Sequence, residues 1–418
     1  MAVSILGTWL ITNRFGSIQV RSYIVTPKEL TEMVNANNAE TGRNITPLFS
    51  ATDTTNTLSF NVYIPKNATA DNPAPLVVTS PRSDTQQSIY LELARRGFVV
   101  IAANMGGNGN TTSGTFSASV SGDGFGLLPA VQYGMSLACV DPTKIGLTGH
   151  SIGAVGAAVD INIINTADAE YRVSAFVVGD AVDSVASLSE EAIKGLKVIN
   201  GQWRYGEFNN EVILDSAKGK MLVQKFYPQW DGDSIPEGQW FSSSGEIDAP
   251  ENGETVDADS AIVFYEPSLI HTMWMFSKAG PEITVEGMYA GPGVPQGCKY
   301  IPGNRQIWPI ASFLGLLGIV GFFMMVWPVS SLLLETRLFS SIIRPMKKKE
   351  EEELPLLTAK TALPFVLFSI PMMIFTYWAY RTFSSTGSSY FNSSKYPGGM
   401  TANGPLLLAG SVLQKSRY

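Results

Sequence analysis

At 418 residues the chain exceeds the size at which a single hydrophobic core stops growing, so two or more structural units are expected. A formal net charge of -7 offers no basic domain to phosphates, which sets aside a nucleic-acid partner. Two cysteines and two histidines leave almost no room for a zinc or iron site built from those residue types, so neither metal nor cofactor is expected. Cys139 and Cys298 could form one disulfide in a domain outside the cell, and two free buried thiols carry at least equal weight.

The N-terminal segment Met1 to Ile11 is apolar but short of a membrane span. It has neither a basic lead nor a small-residue cleavage site, so it reads as the end or remnant of a signal anchor. Ser17 to Val25 and Leu58 to Ile64 alternate apolar and polar residues, as half-buried antiparallel strands do. Leu76 to Thr79 and Phe98 to Ala102 are continuous valine-rich runs suited to strands covered on both faces, with Gln86 to Arg96 as the helix crossing between them. Gly122 to Leu137 supplies a further helix and Lys144 to Leu147 a further strand. Val173 to Val178, Leu196 to Gly201 and Ala261 to Tyr265 continue the rhythm, which predicts a mostly parallel, doubly wound α/β sheet with right-handed crossovers.

Gly149-His150-Ser151-Ile152-Gly153 falls between such a strand and the small-residue helix Ala154 to Ile164. Glycines around a serine at that junction let the chain turn sharply enough to hold a nucleophilic hydroxyl above the sheet. An ordinary strand-to-helix turn is the plainer alternative.

Residues 15 to 285 resemble the α/β-hydrolase superfamily, and within it a dienelactone-hydrolase-like, membrane-attached bacterial branch. The resemblance rests on Pro65 with Asn67, Ala94-Arg95-Arg96-Gly97-Phe98-Val99-Val100, Val140-Asp141 with Lys144-Ile145-Gly146, and Gly149-His150-Ser151, all in the family's order and spacing. It implies Ser151 as nucleophile, the amides of Ile152 and Arg82 as oxyanion donors, and His271, after the last strand, as general base. The catalytic acid should follow Leu196 to Gly201, where the family often carries Tyr-Asp-Glu-Phe and this chain has Tyr205-Gly206-Glu207-Phe208. Glu207 is one candidate; Asp180 and Asp183, after the preceding strand, are the others. Ser80-Pro81 replaces the family's His-Gly ahead of the second oxyanion donor, and Asn104 to Asn110 lacks the aspartate and histidine often found there.

Residues 209 to 260 form an acid-rich insertion whose Phe226, Tyr227, Trp230, Trp240 and Phe241 suggest a lid or an interaction segment. Asp231-Gly232-Asp233 lacks the spaced ligands of a calcium loop. Ile307 to Leu334 is almost uncharged and longer than the roughly 20 residues needed to cross a bilayer. Ala362 to Tyr380 is a second, proline-broken candidate. The intervening Arg337, Arg344, Lys347, Lys348, Lys349 and Lys360 make their connection cytoplasmic by the positive-inside rule, leaving the large domain and the tail extracytoplasmic on the cell membrane.

The expected organisation is a short apolar segment over 1–14, an α/β-hydrolase-like domain over 15–300, two spans (307–334 and 362–380) within 301–383, and a polar tail over 384–418. Expected partners are the lipid bilayer and proteins of a membrane complex. With three departures around one serine, the preferred function is a degenerate hydrolase fold serving as a binding or structural subunit. The alternative is an active serine hydrolase of an ester or amide using Ser151 and His271.

Overall fold

Valine-rich runs with no polar face must be covered on both sides, and the central strands of the sheet meet that demand. A computed structural model describes residues 2–49, 52–80, 86–112, 127–167, 170–201, 213–269, 271–337 and 339. The strands are β1 (Ile18–Val25), β2 (Leu58–Pro65), β3 (Ala74–Ser80), β4 (Val99–Ala103), β5 (Val140–His150), β6 (Val173–Gly179), β7 (Lys197–Gly201), β8 (Trp240–Ser242), β9 (Gly245–Ile247) and β10 (Ala261–Tyr265). They form one sheet in the order β1-β2-β4-β3-β5-β6-β7-β10-β8-β9. Strands β4, β3, β5, β6, β7 and β10 run parallel, and antiparallel pairs flank them on both sides. This is the α/β-hydrolase fold, as the sequence predicts.

The helices are α1 (Ala2–Thr12), α2 (Pro27–Thr41), α3 (Gln87–Ala94), α4 (Leu127–Ser136), α5 (Ile152–Ala167), α6 (Val182–Ala186), α7 (Glu190–Ile193), α8 (Ala217–Phe226), α9 (Ala279–Ala290) and α10 (Trp308–Leu334). One buried apolar cluster joins α2, α4, α5 and α8 to the sheet, and a second joins α3 and α9 to it. α2 carries both a start and a stop signal in its own residues. Thr26 and Glu29 close a capping box, Pro27 opens the first turn, and Gly42 at φ 72° ends the helix.

The insertion departs from expectation. Its strands β8 and β9 extend the sheet beyond β10, and Phe226, Trp230, Trp240 and Phe241 are buried in the domain's own core. The aromatic residues that suggested a lid or partner surface are packing residues. Cys139 and Cys298 are both free thiols.

Residues 1–320 make up one unit, and the second, 321–418, is described only over 321–337 and 339. α10 has 27 residues, almost none of them buried, and is long and apolar enough to cross a bilayer, which is compatible with a membrane anchor. Its root is fixed by a buried carboxylate. Glu92 on α3 accepts the amides of Ile307 and Trp308 at 2.6 and 3.0 Å and pairs with Arg96 at 2.6 Å. Arg96 in turn donates to the carbonyls of Ile301 and Pro302. A negative group at a helix N-terminus satisfies amides that have no intrahelical acceptor. The second candidate span, its basic connection and the tail lie outside the described residues.

Candidate active site

In register, His150 of β5 stands beside Gly179 of β6, which stands beside Gly201 of β7, so three neighbouring strands end at one level. Ser151 follows directly at φ 55°, in the left-handed region that a non-glycine residue occupies at a cost of about 1–2 kcal/mol. Its amide donates to the Gly179 carbonyl at 2.8 Å, which fixes the turn. Two residues earlier, a Cβ on Gly149 would lie 2.4 Å from the Gly153 backbone, so only glycine lets α5 start this close to the strand. The result is a sharp strand-turn-helix with Ser151 at its apex, half-buried and reachable from solvent. Ile152 opens α5, where the first amides lack intrahelical acceptors.

Asp180 repeats the device one strand along. It follows β6 at φ 50°, and its amide donates to the Gly201 carbonyl at 2.7 Å. Aspartate tolerates this conformation better than most residues. The turn presents its carboxylate Oδ2 to Nδ1 of His271, and the two are hydrogen-bonded, both side chains being nearly out of solvent. That bond makes Nδ1 the protonated nitrogen and leaves Nε2 as the basic one.

His271 stands first in a short 3-10 helix, His271–Phe276. Side chains at i and i+3 of such a helix eclipse, so Trp274 points the same way as His271. Trp274 is fully buried, and its ring fills space left by the two strand-end glycines. A Cβ on Gly179 would come within 2.9 Å of the ring and one on Gly201 within 2.8 Å. Two missing side chains thus seat the helix that carries the histidine.

His150 completes the cluster. Its ring centroid is 4.5 Å from that of His271 and 6.2 Å from that of Trp274, nearly parallel to the latter. Burial, and then the neighbouring His271, push its pKa down from 6.5 to about 4, with the His271 backbone opposing in part. His150 is therefore neutral at ordinary pH. Ligand atoms of His150, Asp180 and His271 lie within 4.8 Å of one another, and among the described residues this is where a cation could be held. Such a cation would displace the hydrogen bond between Asp180 and His271.

Of the residues singled out from sequence, Ser151, Ile152, Asp180 and His271 converge at this end of the sheet. Arg82 and Glu207, with Pro81 and Gly206, lie outside the described residues. Asp183 does not join them: it is exposed and its carboxylate pairs with Lys218 at 2.6 Å. Sequence reasoning missed His150 and Trp274. The three-residue spacing from His271 to Trp274 is the one signal that could have found the latter.

No protein-family model matches this chain, and no curated protein matches it in sequence. Solved structures similar to it include a cold-adapted esterase from an Arctic intertidal metagenomic library, at 12% identity and a TM-score of 0.36, covering 66% of this chain and 96% of that one. An esterase of Pyrobaculum calidifontis is similar at 12% identity and a TM-score of 0.35, covering 63% and 92%. A dienelactone hydrolase-like promiscuous phosphotriesterase from metagenomic libraries is similar at 13% identity and a TM-score of 0.34, covering 62% and 85%. Likeness at this level says nothing about substrate, and the fold stands on its own strand order.

Proposed function

We propose that this protein is a serine hydrolase that cleaves an ester or amide and is carried on the membrane by α10. In this account the Ser151 hydroxyl attacks the acyl carbon while His271 Nε2 takes its proton. Asp180 holds the His271 Nδ1–H and stabilises the imidazolium, and the Ile152 amide receives the developing oxyanion. His271 then protonates the leaving group, and water, deprotonated by the same nitrogen, releases the acyl chain. Nε2 must come within hydrogen-bond reach of Ser151 when substrate is bound.

The observation that carries this reading is the Asp180–His271 pair standing at the strand end next to the strained Ser151. It supplies the carboxylate whose absence at Gly206 had favoured a degenerate domain. One feature still favours a non-catalytic subunit of a membrane assembly. Pro81, ahead of Arg82, removes the backbone freedom that glycine would give the second oxyanion donor. A fluorophosphonate probe separates the two readings: the hydrolase is labelled at Ser151 and Ser151→Ala is not, whereas an unlabelled wild-type chain is the non-catalytic subunit.

A further inference from the structure

Outside the active site, basic side chains gather where the two apolar helices leave the domain. A cleft of about 480 Å³ is lined by Arg14, Lys66, Asn67, Arg95, Lys299 and Tyr300, and no carboxylate lines it. In a chain of net charge -7 this is a local reversal of sign. Arg95 is engaged by Glu92 and the Arg305 carbonyl. Arg14 spends one donor on the Arg95 carbonyl at 2.7 Å. Lys66 and Lys299 are exposed, and with Arg14 they form no ion pair with a carboxylate among the described residues.

The position of the cleft follows from how α1 meets α10. Ser4 Oγ donates to the Leu314 carbonyl at 2.6 Å, and a Cβ on Gly7 would meet the Leu314 side chain at 2.9 Å. A Cβ on Gly318 would lie 2.4 Å from Ser4 Oγ, so small residues let the two helices touch. Gly318 is ten residues beyond Trp308, about 15 Å of helix and half the thickness of a hydrocarbon core. α1 thus runs back along the first half of α10, with Val3, Ile5, Leu6 and Trp9 exposed on its outer side. Arg14 follows the end of α1 by two residues, and next to it Phe15 is 75% exposed. The cleft opens at the level where α1 and α10 would pass from water into lipid.

We infer that this cleft holds the phosphate of an anionic phospholipid whose acyl chains lie along the exposed face of α1. Arg14, Lys66 and Lys299 supply the charge, and Phe15 and Trp9 the interfacial and apolar contacts. The inference rests on α10 lying in a membrane and is independent of whether Ser151 is reactive.

The test uses the full chain in vesicles of phosphatidylcholine with or without phosphatidylglycerol, followed by detergent extraction and mass spectrometry of the lipid that stays bound. The wild type should retain phosphatidylglycerol about tenfold over phosphatidylcholine, since each basic side chain near a lipid surface adds severalfold. Lys66→Glu with Lys299→Glu should abolish the preference, and Lys66→Arg with Lys299→Arg should keep it, all three chains resisting alkaline carbonate extraction. Equal retention of the two lipids by the wild type, undiminished retention by the glutamate variant, or displacement of the lipid by an equal concentration of inorganic phosphate would overturn the assignment. Release of the wild type by carbonate would overturn it differently, by removing the membrane reading of α10 on which it stands.

Discussion

Ser151 and Asp180 each follow a strand, at φ 55° and 50°, and each donates its amide to the last carbonyl of the next strand, Gly179 and Gly201 respectively. The two turns are relieved in different ways. At the end of β5, Gly149 removes the Cβ that would strike the first turn of α5, so the serine is lifted clear of the sheet. At the end of β6, Gly179 and Gly201 leave room for Trp274, so the carboxylate meets a histidine arriving from beyond β10. The lesson is that a parallel sheet can offer a histidine its carboxylate from the strand end that a buried side chain braces, here the end of β6 beside Trp274.

Removing either member of the comparison should have unequal but large effects. Ser151→Ala should lower turnover by roughly 10⁶, measured on a chromogenic ester, without loss of fold. Asp180→Asn keeps the left-handed turn but offers His271 the wrong tautomer, and should lower kcat by about 10⁴. Glu207→Gln, by contrast, should stay within about threefold of wild type, because in this proposal Asp180 and not Glu207 holds the His271 Nδ1–H. A deficit in Glu207→Gln comparable to that of Asp180→Asn would move the acid back to the loop after β7.

The brace can be broken separately from the chemistry. Gly201→Ala would press a methyl into the Trp274 ring and should lower stability by about 1–3 kcal/mol in denaturant unfolding. It should also cut activity by shifting His271, whereas an unchanged rate would show that Trp274 does not seat the base.

At neutral pH His150 gives the smallest expected effect, and on acidification it carries a clear pH signature. Its folded pKa of about 4 lies below the unfolded value of 6.5, so between those limits the unfolded chain binds more protons than the folded one. Stability is therefore full above about pH 6.5 and declines as pH falls toward 4, by roughly 3 kcal/mol at most. His150→Asn should flatten the slope of Tm over that window, and an unaltered slope would assign it to other groups.

Much of this architecture was legible in sequence because strand interiors leave no choice of residue. The runs Leu76 to Thr79, Phe98 to Ala102 and Val173 to Val178 can only be strands covered on both faces, and the glycines beside Ser151 mark a close approach that nothing else explains. His271 was visible because it follows the last predicted strand, where the family resemblance places a general base, and the other histidine stands in the elbow. Asp180 could be kept only as one candidate among several, since an aspartate after a strand is as ordinary in a turn as in a site. β8 and β9 are three residues each and too short to show a period. The contact of Ser4 with Leu314 joins residues 310 apart, which no local pattern encodes.

The central claim is that Ser151 is a nucleophile served by His271 and Asp180. It is tested most directly by the rate of covalent fluorophosphonate labelling of the wild type, Asp180→Asn and Glu207→Gln under one set of conditions. The account predicts labelling at Ser151 in the wild type and Glu207→Gln at similar rates, and a collapse of the rate in Asp180→Asn. Equal labelling of all three, or none in the wild type, would contradict it.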